Sequence, residues 1–403
     1  MRRRTFIGSL LATSLSALMS GRANARKPER PHIAVIGAGA FGGWTALHLL
    51  RRGARVTAID AWGPGNSRAS SGGETRVIRH CYSSSRYVRM AQRSVELWTQ
   101  ASEDWGRPLF EDSGVLFMRQ DGLGEDFFEH AVRHMREAGV PHEELTGAEL
   151  ARRYPQIDAE NVVAGIYEPT AGYLLARRAC AAVIDELVAL GGEYRMASAM
   201  PGSISSGEMT GVELSDGKTL RADQYVFACG PWLATLFPSI LANRLSVSRQ
   251  EVFFFGYPGG DRRYAMPALP VWADLGERFW YGIPGAQRRG FKIADDTHGP
   301  AFDPTMSQRR VTEEGLRSAR AYLARRFPDL EGAPLLESRV CQYTNTADAD
   351  FIVDRHPGAE NVWLLGGGSG HGFKHGPALG ELAAAQVMGS QPVDPAFGLA
   401  RFG

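Results

Sequence analysis

The pattern of apolar and polar positions near the start of the chain predicts a strand, a helix and a second strand in close succession. The apolar run His32–Ile36 is followed at once by a glycine-rich segment, and then by a stretch to about Arg52 whose apolar residues keep helical spacing. Gly53 stands where a left-handed helix cap is expected, and residues 55–59 form a second apolar run that leads to Asp60. This order of elements predicts a βαβ unit.

Two later segments have the same strand-like character. Residues 225–230 and residues 362–366 are apolar runs that each end on glycine, and both are candidates for the same parallel sheet. Residues 91–139 have helical patterning. In contrast, residues 252–255 and 278–281 lie in a stretch of alternating aromatic and polar positions, which predicts strands of an antiparallel sheet.

The predicted fold class is α/β, or α+β overall, with a Rossmann-like nucleotide-binding domain and an interleaved antiparallel-sheet substrate domain. A chain of 403 residues with 44% hydrophobic residues buries a large core and suggests two or three compact units. We expect the active site to lie between the two domains. The nucleotide-binding domain is expected to be discontinuous, over residues 31–80, 152–236 and 340–403, and the substrate domain to cover residues 81–151 and 237–339.

The first 25 residues have the character of a targeting segment. Three arginines, Arg2 to Arg4, precede an apolar stretch up to Met19, and small residues around Ala25 suggest a processing site. The sequence Arg-Arg-Thr-Phe-Ile is typical of a twin-arginine export signal, so residues 1–25 are predicted to be a signal peptide that directs the protein to the periplasm. An uncleaved basic helix is the alternative. The stretch is too short for a membrane anchor, which needs about 20 mostly apolar residues.

The charge balance narrows the class of partner. Lys and Arg total 45 against 44 for Asp and Glu, which leaves no large field of one sign to attract nucleic acid or an anionic membrane surface. Small molecules are therefore the expected partners. The sequence contains no C-x-x-C pair of the kind that indicates a zinc site or a redox dithiol. Its cysteines are widely spaced, at Cys81, Cys180, Cys229 and Cys341.

The glycine-rich segment after the first strand has the spacing of a dinucleotide-binding turn. Gly37 permits the tight turn, Gly39 lets the backbone approach a pyrophosphate, and Gly42 lets the helix pack closely on the strand. Asp60 follows Gly42 by 18 residues (60 − 42), close to the position of the acid that binds a ribose hydroxyl. The negative charge of Asp60 disfavours NADP, but the pattern does not distinguish FAD from NAD. An accidental glycine-rich turn is the alternative.

Three further stretches carry a resemblance to a known family. They are residues 73–80 (GETRVIRH), residues 340–344 (VCQYT) and residues 368–374 (GSGHGFK). With the nucleotide motif, they make the chain similar to the D-amino-acid-oxidase-like flavoproteins, and within them to the monomeric sarcosine oxidase and N-methyltryptophan oxidase group. The resemblance implies an FAD-dependent amine or amino-acid oxidase, and a monomer is expected.

The resemblance also implies how the cofactor is held. Cys341 matches the cysteine that forms a thioether with the flavin ring, which implies FAD bound covalently through an 8α-cysteinyl bond. Without the resemblance, Cys341 is interpreted as an ordinary buried thiol. A tight strand-to-helix connection with no ligand is likewise the alternative for residues 366–374. The other positions predicted to contact the cofactor are Thr75, Arg76, Gly368, Gly370, Gly372 and Lys374.

Two basic residues match the family pair that holds the substrate carboxylate. Arg79 and Lys374 combine a guanidinium with an ammonium group, which suits a carboxylate chemically and implies an amino-acid substrate. Either residue considered alone is more commonly a solvated surface side chain.

The predicted catalytic positions are Arg76, Tyr281, Lys292 and Tyr343. Arg76 matches a residue beside the flavin, where positive charge favours the reduced cofactor. Lys292 matches the lysine that the family places near the flavin for reaction with O2, and an edge-strand lysine is the alternative. The two tyrosines match residues of the substrate cavity, and a core position with a locally bonded hydroxyl is the alternative for each.

The sequence departs from the family pattern at two positions. Gly72 and Asp296 stand where the group often has histidines, although His298, two residues further on, is consistent with a shifted register. Such changes enlarge or recharge the predicted substrate cavity, which argues against naming sarcosine itself as the substrate. His80 and His371 are expected to be structural hydrogen-bond donors rather than catalytic bases.

These residues together predict FAD-dependent oxidation of the C–N bond of a secondary or N-methyl amino acid to an imine, with O2 reduced to H2O2. One alternative is an exported amino-acid dehydrogenase that passes electrons to a quinone or a protein. A second alternative, of a different class, is a flavin-binding partner protein without turnover.

Overall fold

The first predicted elements occur where the apolar pattern indicated. A computed structural model describes residues 30–403, so the predicted signal peptide at residues 1–25 lies outside the described residues. His32–Ile36 is a strand, Ala40–Arg51 is a helix, and Arg55–Asp60 is the next strand. Gly53 has φ +94°, the left-handed conformation expected of a residue that ends a helix.

The first sheet carries this unit at its centre. It has six strands, whose order in space is Ile352–His356, Ala359–Gly366, Gln224–Phe227, His32–Ile36, Arg55–Asp60 and Glu193–Met196. All neighbouring pairs are parallel except the outer hairpin between the first two. The prediction that the two later glycine-ended runs share a parallel sheet with the first strand is therefore confirmed. The His32–Ile36 strand is buried along its whole length, which explains its unbroken apolar run.

The second sheet contains the aromatic stretch. Its eight strands lie in the order Leu335–Asn345, Ser246–Phe255, Phe291–Asp295, Phe279–Ile283, Val271–Leu275, Val115–Gln120, Val162–Glu168 and Glu143–Thr146. The strands that contain residues 252–255 and 279–281 both pair antiparallel with Phe291–Asp295, which confirms the predicted antiparallel sheet. One pairing, between Val271–Leu275 and Val115–Gln120, is parallel.

The helices cover the faces of these sheets. The Ala40–Arg51 helix packs against Gly376–Val387 and Ala176–Ala189 on one face of the first sheet. The remaining α-helices of the described residues are Ser85–Asp104, Glu125–Glu137, Gly147–Arg153, Leu233–Leu236, Pro238–Leu241 and Glu313–Arg326. The smaller sheets consist of Arg76–Ile78 with Gly172–Leu174 and Phe110–Glu111, of Ala199–Pro201 with Val212–Leu214 and Thr219–Leu220, and of Ile204–Ser205 with Glu208–Met209.

The structure differs from the sequence predictions in three places. One is the strand Leu335–Asn345, which pairs in the second sheet although residues 340–403 were assigned to the nucleotide-binding domain. Residues 91–139 are not helical throughout, because the strand Val115–Gln120 lies between the helices Ser85–Asp104 and Glu125–Glu137. The strand Val162–Glu168 joins the second sheet, although residues 152–236 were assigned to the nucleotide-binding domain. Its apolar pattern indicates a strand but does not specify the sheet in which that strand pairs.

None of the helices in the described part of the chain is both long enough and apolar enough to cross a membrane.

Candidate functional site

A cavity of about 300 Å³ lies at the carboxyl ends of the parallel strands in the first sheet. We call it the first cavity. Ligands of open parallel sheets bind at this edge. The residues lining it include most of the predicted cofactor positions, namely Gly37, Gly39, Asp60, Arg76, Gly368, Gly370 and Gly372, together with Tyr343.

The turn after the first strand requires its glycines for steric reasons. Gly37 has φ +105°, and a Cβ at this position would lie 2.3 Å from the carbonyl oxygen of Ala228. Gly42 does not line the first cavity. A Cβ there would lie 1.9 Å from the carbonyl oxygen of Gly37, so its absence lets the helix begin directly against the turn. The backbone therefore approaches the cavity closely, as a pyrophosphate site needs.

Asp60 connects the second strand to this turn. Its Oδ2 accepts a hydrogen bond from the backbone N–H of Ala38 at 2.9 Å, and its Oδ1 accepts one from Trp62 at 2.9 Å. The carboxylate therefore stabilises the glycine turn and also lines the first cavity. Each oxygen has a further lone pair, which leaves acceptor capacity for a ribose hydroxyl.

The lining of the first cavity fits FAD. The lining combines the dinucleotide turn and Asp60 with the 366–372 segment, Arg76 and Tyr343. Gly370 has φ +79°, and a Cβ there would lie 2.8 Å from the Tyr343 ring. Glycine is thus needed where the chain passes beside the Tyr343 ring. These residues would hold the nucleotide and the ring system.

A smaller cavity of about 70 Å³ adjoins the first one, and we call it the second cavity. Arg76, Tyr343, Gly370 and Phe373 line both cavities, so the two share a wall. The structure brings together in the second cavity the predicted positions Arg76, Arg79, Tyr281, Cys341, Tyr343 and Lys374, and adds Asp296.

Arg79 and Lys374 are cations without a carboxylate partner among the described residues. The Arg79 guanidinium donates to the carbonyl oxygen of Cys81 and lies 4.0 Å from the centre of the Tyr82 ring. The Lys374 Nζ donates to the Tyr82 hydroxyl and to the carbonyl oxygen of His371, both at 3.0 Å. Burial, together with the nearby Arg79, lowers the pKa of Lys374 well below its usual value. An anion bound between the two side chains would favour the charged form of Lys374.

Arg76 and Cys341 lie together on the wall of the second cavity. The Arg76 Nη2 is 3.6 Å from the Cys341 Sγ and donates to the carbonyl oxygen of Ser70 at 2.6 Å. Nearby, the Tyr343 hydroxyl donates to Asp296 Oδ1 at 2.6 Å. Burial raises the pKa of Asp296, and the Tyr343 hydrogen bond opposes that shift.

Lys292 and Thr75 contact each other rather than the cavity space. The Lys292 Nζ donates to the carbonyl oxygen of Thr75 at 3.1 Å, and neither residue lines the two cavities. Thr75 directly precedes Arg76, which lines both. Lys292 lies in an interior strand of the second sheet, so the edge-strand alternative is wrong. Burial lowers the pKa of Lys292 from 10.5 to about 7, and the charge of Arg76 acts in the same direction.

The two unusual positions have different surroundings. Gly72 is buried and lines neither cavity, and a Cβ there would lie 2.0 Å from the carbonyl oxygen of Asn66. A glycine is therefore required by the local turn, and the expectation that position 72 changes the substrate cavity stays a prediction. Asp296 does line the second cavity, and the His298 ring lies 6.0 Å from the Tyr343 ring.

Two buried residues that the sequence did not single out support the basic pair. Glu168 accepts hydrogen bonds from the backbone N–H groups of His80 at 2.6 Å and Cys81 at 3.1 Å, which orders the turn that carries Arg79. Tyr82 bonds to Lys374, as described above, and its hydroxyl lies 3.2 Å from His371 Nδ1. The indication that the sequence offered for Glu168 is its position as an acid at the end of the otherwise apolar strand Val162–Glu168.

The histidines have structural partners. His80 Nδ1 lies 3.0 Å from Glu168 Oε2, and His371 Nε2 lies 3.0 Å from the carbonyl oxygen of Ala349. Burial lowers the pKa of His371 from 6.5 to about 3, with a further contribution from Lys374. A neutral, hydrogen-bonded ring is the state that burial favours for His371.

Comparison with known proteins agrees with this site. Residues 32–386 match the family described as FAD dependent oxidoreductase. The chain is 30% identical over 364 residues to the monomeric sarcosine oxidase of Bacillus sp. (strain B-0618), covering 88% of this chain and 92% of that enzyme. It is 29% identical to the N-methyl-L-tryptophan oxidase of Yersinia pestis (strain Pestoides F), covering 91% and 98% respectively.

Solved structures agree in fold. The L-proline dehydrogenase of P. horikoshii superposes with a TM-score of 0.80 at 24% identity, covering 93% of this chain and 98% of that one. The resemblance to the sarcosine oxidase and N-methyltryptophan oxidase group is therefore confirmed. The matched family, the cavity lining and the fold lead to one conclusion: this chain is a member of the FAD-dependent oxidoreductase family.

Proposed function

We propose that this enzyme oxidises the C–N bond of an amino acid to an imine, and that its substrate is a secondary or N-methyl amino acid. One observation carries the proposal: Arg79 and Lys374, two cations without carboxylate partners among the described residues, line a small cavity that shares a wall with the FAD cavity. The relatives named for oxidising sarcosine and N-methyl-L-tryptophan support the substrate class.

The residues of the second cavity would bind and orient the substrate. FAD, when bound, supplies the two-electron oxidant that accepts a hydride equivalent from the substrate C–H bond. Arg79 and Lys374 would hold the carboxylate by charge-assisted hydrogen bonds and so fix the direction of that C–H bond. Arg76, at the shared wall, would place positive charge beside the reacting groups. The amino group gives up a proton as the C=N bond forms, and water then hydrolyses the imine.

We further propose that O2 is the electron acceptor and that H2O2 is the second product. Lys292 would stabilise the negative charge that develops on oxygen as electrons reach it, because a buried cation acts more strongly than an exposed one. A quinone or protein acceptor is the alternative, and substrate-dependent loss of flavin colour without peroxide would favour it.

Covalent attachment of FAD through Cys341 is also proposed. The support is positional: the thiol is half-buried on the wall of the second cavity and lies beside the Arg76 guanidinium. A second cysteine, Cys229, lines the first cavity, whereas Cys341 lines the second.

Export by the twin-arginine pathway is proposed from residues 1–25 alone. Fractionation of cells that express the full chain tests it. The enzyme is expected in the periplasmic fraction, and the double substitution Arg3→Lys with Arg4→Lys is expected to retain it in the cytoplasm. Equal distributions of the two forms would contradict the proposal.

The oxidation itself is tested by mixing the holoenzyme with amino acids in the absence of O2 and recording the flavin spectrum. Substrate-dependent bleaching supports the proposal. Admission of O2 should then restore the colour with release of about one H2O2 for each substrate oxidised, as the two-electron balance requires.

A further inference from the structure

Asp296 presents an unpaired carboxylate oxygen to the second cavity. Its Oδ1 accepts the Tyr343 hydroxyl at 2.6 Å. In the part of the chain that the structure describes, no side chain donates to Oδ2 and no cation forms an ion pair with the group. Arg79 and Lys374 line the same cavity, and neither forms a hydrogen bond or an ion pair with Asp296 in the described residues.

The neighbouring acid shows the contrast. Asp295 also lines the second cavity, but it forms an ion pair with Arg278, and its Oδ1 accepts the backbone N–H of Thr297 at 2.9 Å. Asp295 is therefore neutralised locally, and Asp296 is the acid whose charge faces the cavity. Burial of Asp296 raises its pKa, while the Tyr343 hydrogen bond and the nearby charges of Arg79, Lys374 and His298 oppose that shift.

The charges of the second cavity match one class of ligand. The cavity holds about 70 Å³, so a ligand that contacts Arg79 and Lys374 also lies near Asp296. A plain carboxylate would satisfy the two cations and would be repelled by Asp296. A zwitterion, with a carboxylate and a cationic nitrogen separated by one carbon, would satisfy all three groups.

We propose that Asp296 binds the positively charged amino group of the substrate, so that the second cavity selects the zwitterion of a small amino acid over a plain carboxylate. This inference rests on the proposed function for its substrate class. It assigns the amino group a ligand of its own, at the residue that directly follows the strand Phe291–Asp295. Asp296 thereby becomes a determinant of specificity rather than a neutral replacement.

Equilibrium binding to the holoenzyme tests the proposal. Calorimetric titrations compare betaine with 3,3-dimethylbutanoate, which has the same shape but carbon in place of the cationic nitrogen, and neither ligand has an oxidisable amine. We expect the wild type to bind betaine about tenfold more tightly or better. The preference should disappear in Asp296→Asn and persist in Asp295→Asn. If neither ligand enters the cavity, glycine and propanoate provide the same comparison at a smaller size.

Equal affinities in the wild type, or a preference that survives in Asp296→Asn, would overturn the proposal. Asp296→Ser serves as a second variant, and the flavin spectrum of each variant reports that the site is folded. Because binding needs no turnover, this result is separate from the test of oxidation. If the wild type prefers betaine but no amino acid bleaches the flavin, the role of Asp296 in binding is retained. The proposed oxidation is then contradicted.

Discussion

The Arg76 guanidinium lies 3.6 Å from the Cys341 sulfur, measured from Nη2 to Sγ, where the first and second cavities share a wall. The same cation faces the cavity that fits FAD. This relationship connects the proposed covalent attachment with the proposed site of oxidation.

Replacement of Cys341 tests the attachment. Acid precipitation of the wild type is expected to give a yellow pellet, because a thioether survives denaturation. Cys341→Ser should give a colourless pellet and a yellow supernatant. Cys229→Ser is the matched control, since Cys229 lines the first cavity, and it should keep the flavin in the pellet. Release of the flavin from the precipitated wild type would contradict the proposed covalent bond. It would leave the binding of FAD itself unaffected.

Loss of either cation should weaken carboxylate binding. A hydrogen bond to a charged group contributes about 1.5–3 kcal/mol, so Arg79→Gln and Lys374→Met are each expected to raise the Kd of a non-oxidisable carboxylate about tenfold or more. Titration of the flavin spectrum measures this Kd. A variant that binds the carboxylate as the wild type does would show that its cation serves another purpose.

The role proposed for Lys292 is specific to the oxygen step. Lys292→Met is expected to slow recovery of the flavin colour by O2 about a hundredfold, the scale of losing one preorganised electrostatic group. Anaerobic bleaching by substrate should change much less. The control is Lys218→Met, because Lys218 is exposed at the surface. Equal slowing of both steps would point to a structural role for Lys292.

Glu168 is expected to position Arg79. In Glu168→Gln, the amide retains one acceptor oxygen for the backbone N–H groups of His80 and Cys81, so one donor is left unsatisfied. The free energy of unfolding should fall by about 1–3 kcal/mol. The carboxylate Kd should rise as well, because the turn that carries Arg79 is less ordered. A loss of stability with an unchanged Kd would limit Glu168 to a structural role.

A buried histidine predicts how stability depends on pH. Burial is the main cause that lowers the pKa of His48 from 6.5 to about 4. Below about 6.5 the unfolded chain takes up a proton that the folded chain does not, so the free energy of unfolding falls as the pH falls towards 4. The contribution is at most about 1.4 kcal/mol per pH unit. His48→Gln should make the fall shallower in denaturant titrations, and parallel curves would contradict this account.

The sequence predicted four of the six strands of the first sheet, because their apolar runs end at glycine or at Asp60, which mark the strand ends. The strand His32–Ile36 and the cap at Gly53 occur where the pattern placed them. The strand Val115–Gln120 was missed, since a short continuous apolar run fits a buried strand or a buried helix equally well. Membership of Val162–Glu168 in the second sheet depends on pairings that local periodicity does not encode.

The residues of the candidate site were predicted mainly from the resemblance to the flavoprotein family. Arg79 and Lys374 come from distant parts of the chain, and no spacing rule places them in one cavity. Glu168 and Tyr82 were not recognised because their roles depend on buried contacts with those distant residues. Gly72 illustrates the converse, since it departs from the family pattern but is required by a local turn and itself lines neither cavity.

The most direct measurement is rapid anaerobic mixing of the holoenzyme with a panel of N-methyl, cyclic and primary amino acids while the flavin absorbance is recorded. The account predicts saturable bleaching by at least one member of the panel, strongly weakened in Arg79→Gln and Lys374→Met. A flavin that stays fully oxidised with every amine and amino acid would contradict the claim that this protein oxidises an amino acid.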